Sequence, residues 1–437
     1  MPITVIEGEQ RGDEGKGRFV DMLMPDFDIG ARFNGGDNAG HTIVKENGEI
    51  FKVHGLPSSI VHDGKKSVIG NGTVVNPVRL TEEIAGLQGQ GITIGVHNLL
   101  ISGGAHLTLP HHRLEDEYRE RGILAQGSTK SGIAQAYSAK AGRIGVRAEC
   151  IRNRPDELFS IACDGLRRVR LAHNDLTAYK ARDDREKARE FVGRAQQVGN
   201  YVTDTVLFLN QELRKDTPSN VLAEGAQAFL LDIDHGMYPF VTSSSTTSAG
   251  AAIGLGVPGK YINRVVGISK AIQSHVGGGP FVTEIHDSEL LSALHGNMGA
   301  IDAERGTTTG RIRRLGHLDL PQIRRAQMVN GTDEAGITKF DWLSRYPDKI
   351  PICVGYRRKG KTLTIAPDAA YKLEQCEPIY EYLPNCKTDI SGVKTFEALP
   401  PERQEHIRFI EQYTGVPITM IGVGPARDQV IVRSKQP

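Results

Sequence analysis

The sequence has almost no net charge, no paired cysteines and no long apolar run. Its 53 Lys and Arg residues face 52 Asp and Glu residues, a formal charge of +1. Such a chain has no global field to hold a nucleic-acid backbone or an anionic membrane, so any basic recognition must be local. The five cysteines, Cys150, Cys163, Cys353, Cys376 and Cys386, are odd in number, widely spaced and never in a C-x-x-C pair. Zinc and disulfide frameworks are therefore poor readings. No stretch approaches the roughly 20 apolar residues that span a bilayer. The start, MPITVIEGEQ, has neither a basic n-region nor a long apolar h-region. Internal repeats and low-complexity tracts are also missing. The expectation is a cytoplasmic globular protein without nucleic-acid or membrane partners.

What the chain does have is length and glycine. With 437 residues, 39% hydrophobic and 24% charged, it can bury a sizeable core without metal or disulfide staples. At about 150 residues per domain the length suggests about three domains, although one large α/β sheet with insertions can use it all. The 50 glycines exceed the usual ~7% and cluster in loops where backbone approaches a ligand closely.

Ile3-Thr4-Val5-Ile6 is a β-branched run followed by Gly8, Gly12, Gly15 and Gly17, then by the apolar-periodic Phe19, Val20, Met22 and Leu23. This reads as strand, glycine loop, helix. Ile50 to Val53, Ser67 to Ile69 and Asn98 to Ile101 read as short strands, with a polar helix around Pro77 to Leu87 between the last two, a βαβ-like pattern. From about Asn174 to Lys215 the text is long, charged and helical, before the strand-like Val221-Leu222. After Pro351 it turns rich in Thr, Val, Ile and Tyr with alternation, a small β-rich region.

The first loop, Gln10-Arg11-Gly12-Asp13-Glu14-Gly15-Lys16-Gly17, reads as a phosphate cradle. Glycines let backbone N–H groups converge on phosphate oxygens, Lys16 adds a charge and the helix N-terminus adds its dipole. It departs from G-x-x-x-x-G-K-[ST]: Gln10 stands at the first glycine and Gly17 at the hydroxyl residue. Asp13 is the obvious substitute as magnesium ligand. The alternative is a plain strand-to-helix turn capped by Asp13. A second cluster, Asn34 to Thr42, supplies amides, glycines and His41, an imidazole suited to a phosphoryl oxygen or simply to loop capping. A third, Gly306 to Arg314, combines Thr307, Thr308 and Thr309 with Arg311, Arg313 and Arg314, suited to carboxylates and phosphates or else a solvated basic turn. In a fourth, Thr338-Lys339-Phe340-Asp341 is similar to the T-K-x-D string with which GTP-binding proteins read guanine.

In this order, these motifs resemble the adenylosuccinate synthetase family along the whole chain. Gly127 to Lys130 with Tyr137, Lys140 and Arg143, Glu224 to Gln227, Leu231 to Gly236, Val241 to Ser244, Gly279 to Phe281 with Thr283-Glu284, and Gly422 to Pro425 extend the match. The resemblance implies an α/β fold: a single large domain, 1–437, on a central mostly parallel sheet with a P-loop-like nucleotide site. It would carry a helical excursion at about 174–215 and a small β-rich region at about 351–437. The activity implied is a ligase joining L-aspartate to C6 of IMP at the expense of GTP, with Mg2+, through a 6-phosphorylated purine. Carried onto this chain, Asp13, Lys16, His41 and Gln227 would be catalytic, and Asp13 and Gly40 would hold the metal. Gly12, Glu14, Gly15, Lys16, Gly17, Gly40, Thr42 and Arg313 would wrap GTP and magnesium, and Lys339, Asp341, Gly422 and Gly424 would hold guanine. Asn38, Thr129, Gln227, Thr242 and Arg311 would bind the purine monophosphate, Thr307 to Thr309 the aspartate, and Arg143 the purine phosphate of a neighbouring subunit, which requires a homodimer.

The sequence departs from the family around the purine nucleotide. Arg11 and His317 stand where the family has Trp, Ser131 where it has Arg, Ala134-Gln135 where it has Gly-Pro, Met237 where it has Thr, Ser245 where it has Asn, and Ser274-His275 where it has Thr-Arg. A bacteriophage relative uses dGMP instead of IMP but commonly replaces the catalytic aspartate, which is present here as Asp13. A GTP-binding regulatory switch and an inactive paralogue are the readings from other classes. A switch has no need of Gln227 or the threonine-arginine loop.

Overall fold

The computed structural model describes residues 2–45, 48–122, 127–296, 303–304 and 312–434. Ten strands among them build one central sheet: β1 (Ile3–Gly8), β2 (Ile29–Arg32), β3 (Lys66–Ile69), β4 (Leu99–Ser102), β5 (Val202–Thr203), β6 (Val221–Glu224), β7 (Ile262–Lys270), β8 (Glu334–Thr338), β9 (Ile418–Gly422) and β10 (Val430–Val432). Their spatial order is β10-β9-β8-β7-β1-β6-β2-β3-β4-β5. Every neighbouring pair is parallel except β9 with β10.

A parallel sheet is covered on both faces, so its central strands must be apolar on both sides. All six residues of β1 are buried. Ile3 and Val5 point one way, where Leu209, Ala251 and Leu255 from the helices Thr205–Glu212 and Ser248–Leu255 cover them. Ile6 points the other way, with Leu222, Val266 and Ile268, against Phe19 and Val20 of the helix Lys16–Leu23, α1. Both the first strand and the last described strand belong to this sheet, so distant parts of the chain meet along its carboxyl edge.

Three readings of the sequence change in detail. Ile50–Val53 is a strand, but it pairs antiparallel with His41–Val44 in a hairpin apart from the central sheet. The helical stretch begins far before Asn174, with Pro110–Arg119, Ile133–Ala141, Cys150–Asn153 and Pro155–Ala172, and it is interrupted at β5. Ala178–Val198 gave the clearest signal because Asp184, Ala188, Phe191, Ala195 and Val198, three or four apart, are its buried residues. After Pro351, the strands Lys349–Arg358, Lys361–Leu363 and Glu377–Pro384 do form a small separate sheet with Leu318–Asp319. The helix Pro401–Thr414 then returns the chain to β9 and β10. No helix among the described residues is long and apolar enough to cross a membrane.

One feature of β1 is costly. Glu7 and Glu9 are both fully buried at its end, and the Ser269 hydroxyl donates to Glu9 Oε2 at 2.6 Å. Burial pushes Glu7 well above the usual carboxylate range, with Glu9 and Glu14 adding to it. Burial also pushes Glu9 up to about 7, against the hydrogen bonds from Ser269 and Gln327. A carboxyl raised in the folded state holds its proton more tightly there than when unfolded. Stability therefore falls as pH rises from about 4.5 towards about 7. Glu9→Gln is expected to stabilise the protein by roughly 1–3 kcal/mol at about pH 8 and hardly at all at about pH 4. Thermal unfolding at both pH values checks this; an equal gain at both would contradict it.

Candidate functional site

Five strands of the sheet, β8, β7, β1, β6 and β2, end side by side, and the loops leaving them enclose a cavity of about 450 Å³. This is the carboxyl edge where open α/β sheets bind ligands. The loop between β1 and α1 is its floor. Gln10 ties that loop to β7: its amide donates to the Lys270 carbonyl at 3.0 Å and accepts from the Lys270 N–H at 2.9 Å. Gly12, Asp13 and Gly15 have φ of 89°, 60° and 83°, a left-handed curl of the kind that forms anion-binding concavities. Glu14 is fully buried; Oε1 accepts from the Gly12 N–H at 2.7 Å and Oε2 pairs with Lys16 Nζ at 2.9 Å. A Cβ on Gly8 would lie 2.6 Å from Glu14 Oε2 and 2.9 Å from Lys16 Nζ, so the pair depends on glycine there.

His41 faces the cavity from the hairpin. Its Nδ1 meets Glu224, the last residue of β6, and lies 3.3 Å from the Ser58 hydroxyl. A carboxylate only accepts, so Nδ1 carries the hydrogen and Nε2 is left for a ligand. Glu224 also accepts from the Ser58 N–H and hydroxyl, both at 2.8 Å. Burial would raise its pKa, but His41, Arg32 and the Ser58 N–H together hold it down at about 2. Gln227, at φ 58°, donates to Asn38 Oδ1 at 3.3 Å. Arg313 bridges two carboxylates: Nη2 meets Asp13 Oδ2 at 2.7 Å and Nη1 meets Glu304 Oε2 at 2.9 Å. Lys339, at φ 56°, lies with its ammonium 3.3 Å from the centre of the Trp342 ring.

The residues singled out from sequence divide into three groups. Gly12, Asp13, Gly15, Lys16, Gly17, Asn38, Gly40, His41, Thr42, Thr129, Gln227, Thr242, Arg313 and Lys339 line this one cavity. Glu14 does not line it, because its carboxylate turns inward to its own loop. Asp341, Gly422 and Gly424 also lie off the lining. They gather around Arg18, whose guanidinium donates to the Gly424 carbonyl and, at 3.1 Å, to the Gln429 carbonyl. Burial lowers the Arg18 pKa to about 10 against the opposing pull of Asp341. Arg143 is exposed at φ 61°, beyond the helix Ile133–Ala141 and off the cavity of its own chain. Thr307, Thr308, Thr309 and Arg311 lie outside the described residues.

A sequence model of the family described as adenylosuccinate synthetase matches residues 5–431. The chain belongs to the adenylosuccinate synthetase family. The adenylosuccinate synthetase of Caldicellulosiruptor bescii is 41% identical over 438 residues, covering 99% of each chain. That of Salinibacter ruber is 42% identical over 440 residues, covering 99% of this chain and 98% of its own. The fully ligated adenylosuccinate synthetase from Plasmodium falciparum superposes with a TM-score of 0.89 at 35% identity, covering 99% of this chain and 100% of that one. The succinoaminodeoxyadenylate synthetase of cyanophage S-2L, bound to dGMP and dATP, shares the fold at a TM-score of 0.62 and 21% identity, over 99% and 95% of the two chains.

Of the positions that depart from the adenylosuccinate synthetase pattern, Arg11, Ala134, Ser274 and His275 line the cavity, whereas Ser131, Gln135, Met237, Ser245 and His317 do not. Arg11 lies over the Phe281 ring, 4.7 Å from its centre, and donates to the Pro280 carbonyl at 2.8 Å. His275 Nε2 lies 2.9 Å from the Gly278 carbonyl, and burial, helped by Arg11, lowers its pKa to about 4. Gln135 donates to Asp116 at 3.4 Å, and Ser131 accepts from the Thr129 hydroxyl at 3.0 Å.

Sequence reasoning singled out neither Glu224 nor Glu304 as a functional residue, nor Lys270. An acidic residue closing a strand three positions before Gln227 was the available signal for Glu224. The other two act through partners remote in sequence.

The inward Glu14–Lys16 pair yields a direct test. Gly8→Ala is expected to destabilise the protein by roughly 1–3 kcal/mol through overpacking. Gly86→Ala, within the helix Pro77–Gly89 and with no atom within 4 Å of the added carbon, should be neutral or slightly stabilising. Thermal melts of the two variants check this; equal effects would refute the packing account.

Proposed function

We propose that this protein is a GTP-dependent ligase that joins the amine of L-aspartate to C6 of IMP, giving adenylosuccinate, GDP and phosphate. The observation that carries this reading is the convergence of Asp13, Lys16, His41, Gln227 and Lys339 on one cavity in a chain of this family.

Asp13 acts as the base that takes the N1 proton of the 6-oxopurine, with Gln227 positioning the ring, and O6 becomes the nucleophile. O6 attacks the γ-phosphorus of GTP in line, the bond to the β-phosphate oxygen breaks, and a 6-phosphorylated purine forms with GDP leaving. Lys16 and His41 stabilise charge on the transferring group, and the loop from Gly12 to Gly17 holds the β-phosphate. The amine of aspartate then adds at C6, loses a proton, and phosphate departs. Glu224 fixes the His41 ring so that Nε2 addresses the phosphate.

Asp13 and Gly40 line the same cavity, and no cluster of three or more His, Cys, Asp or Glu side chains that could hold a metal occurs among the described residues. One carboxylate and one backbone carbonyl fit Mg2+, which takes its remaining ligands from phosphate oxygens and water. When bound it neutralises charge on the phosphates. Thr42 and Arg313 complete the triphosphate site, while Lys339, Asp341, Gly422 and Gly424 read guanine once Arg18 yields to the base. Asn38, Thr129, Thr242 and Arg311 hold the purine monophosphate, and Thr307 to Thr309 hold aspartate. Arg143 serves the site of a second subunit in a homodimer, and a cytoplasmic location belongs to the same proposal.

IMP is favoured over dGMP because full-length relatives at 41–42% identity carry the adenylosuccinate synthetase name, whereas the dGMP-bound protein is 21% identical. Product analysis with aspartate and GTP, offering IMP and dGMP side by side, should give adenylosuccinate and strict dependence on aspartate. Asp13→Asn should lower turnover by ~100-fold or more while the protein still folds. Succinylation of dGMP alone would overturn the choice of purine, and aspartate-independent GTP turnover would point to a switch. For the shared site, mixing inactive Arg143→Leu and Asp13→Asn chains should restore part of the activity, since one hybrid site then holds both native residues. No recovery in demonstrably mixed dimers would refute it.

A further inference from the structure

Three cations from three separate stretches of the chain meet one buried carboxylate beside the cavity. Glu304 is 2% exposed. Its Oε2 lies 2.9 Å from Lys270 Nζ, at the end of β7, and 2.9 Å from Arg313 Nη1, while its Oε1 lies 3.4 Å from Lys339 Nζ, just past β8. Lys270, Arg313 and Lys339 line the cavity; Glu304 does not. The carboxylate therefore stands behind the cations, on the side away from the ligand space. Its own backbone fixes it there: the Glu304 N–H donates to the His295 carbonyl at 3.4 Å, and the Arg313 N–H donates to the Glu304 carbonyl at 3.1 Å.

Lys270 has a further acceptor in the Ser274 hydroxyl at 2.6 Å, and Arg313 has one in Asp13 at 2.7 Å. Without Glu304, three positive groups would crowd together around the place its carboxylate now fills. Mutual repulsion would then push them apart, and the buried Lys270 would lose the carboxylate it pairs with. A phosphate entering the cavity needs those groups already aimed, since orientation prepared in advance is what makes charged donors effective.

We propose that Glu304 is a positioning residue that holds Arg313 and Lys339 in the directions in which they meet the phosphates and base of the guanine nucleotide, with Lys270 as its fixed anchor. The proposal rests on the reading of the cavity as a GTP site. A carboxylate behind the cations strengthens nucleotide binding; one competing with phosphate for them would weaken it. The two roles predict opposite signs.

The test measures GTP binding by calorimetry on the intact protein without the other substrates, then the KM for GTP, IMP and aspartate, in the wild type, Glu304→Gln, Glu304→Asp and Lys270→Met/Glu304→Gln. Glu304→Gln is expected to weaken GTP binding and raise its KM by ~10-fold or more, with the KM for IMP changed by less than about twofold. Glu304→Asp should recover part of the loss. The double variant removes the buried amine left unpaired yet should remain weak for GTP, which a merely structural role for Glu304 would not produce. Tighter GTP binding in Glu304→Gln, an unchanged KM for GTP, equal rises for every substrate, or full recovery in the double variant would each overturn the proposal. Should the Gln variant fail to fold, the Asp variant is read by the same criteria. A wild type that binds no GTP would instead defeat the reading of the cavity.

Discussion

Glu14 is a fully buried carboxylate that must be met by donors, and the rest of the site follows from how that demand is satisfied. Two donors are in reach, the Gly12 N–H and the Lys16 ammonium. Meeting both bends the chain back on itself within five residues, which is what requires positive φ at Gly12, Asp13 and Gly15. The curled loop lines the cavity with Gly12, Asp13, Gly15, Lys16 and Gly17. A second tie, from the Thr338 hydroxyl to the Glu14 carbonyl at 2.8 Å, carries the constraint to β8. Lys339 follows directly. The loop after β1 and the turn after β8 thus share one anchor.

Backbone conformation singles out the same residues as side-chain chemistry does. Among the described residues seven non-glycine positions have positive φ, and Asp13, Arg143, Gln227 and Lys339 are four of them. An L-residue adopts that region at a cost of order 1 kcal/mol or more, and it persists where the surroundings over-determine it. At Gln227 the reason is visible: Ala226 and Gln227 pass so close to Gly35 that a Cβ there would lie 2.7 Å from Ala226 Cβ. At Lys339 the turn carries the ammonium onto Trp342, a ring that Arg345 also approaches, at 3.6 Å from its centre.

Charge at the cavity wall and just behind it is arranged in alternation. Asp13, Arg313, Glu304 and Lys270 form a chain of opposite charges that joins three separate stretches of the sequence. Burial alone would raise Glu304, yet Lys270, then Lys339 and Arg313, hold it well below the usual carboxylate range. The departures from the family pattern fit around this chain without breaking it. Ser274 gives Lys270 its second acceptor, and His275, neutral and bonded to the Gly278 backbone, adds no charge beside it.

The sequence by itself determined the strand, loop and helix at residues 3–23, the existence of strands at about 67–69, 98–101 and 221–222, and the residue types of the site. Each is encoded in neighbouring residues: β-branched runs, glycine spacing and helical periodicity are local properties. The same holds for Asp13, Lys16 and His41, which stand in short motifs. Only the tertiary structure decided that Ile50–Val53 leaves the central sheet and that the helical stretch begins at Pro110. It also decided that the Glu14 carboxylate faces inward and that Asp341 and Gly422 enclose Arg18 instead of lining the cavity. The roles of Glu224, which stands in a motif of the family, and of Glu304 were decided there for the same reason. Their meaning lies in partners 183 residues away, in His41, and 34 residues away, in Lys270. A contact between remote residues leaves no local pattern to read. It exists because parallel strands, joined by long crossovers, bring their carboxyl ends to one edge.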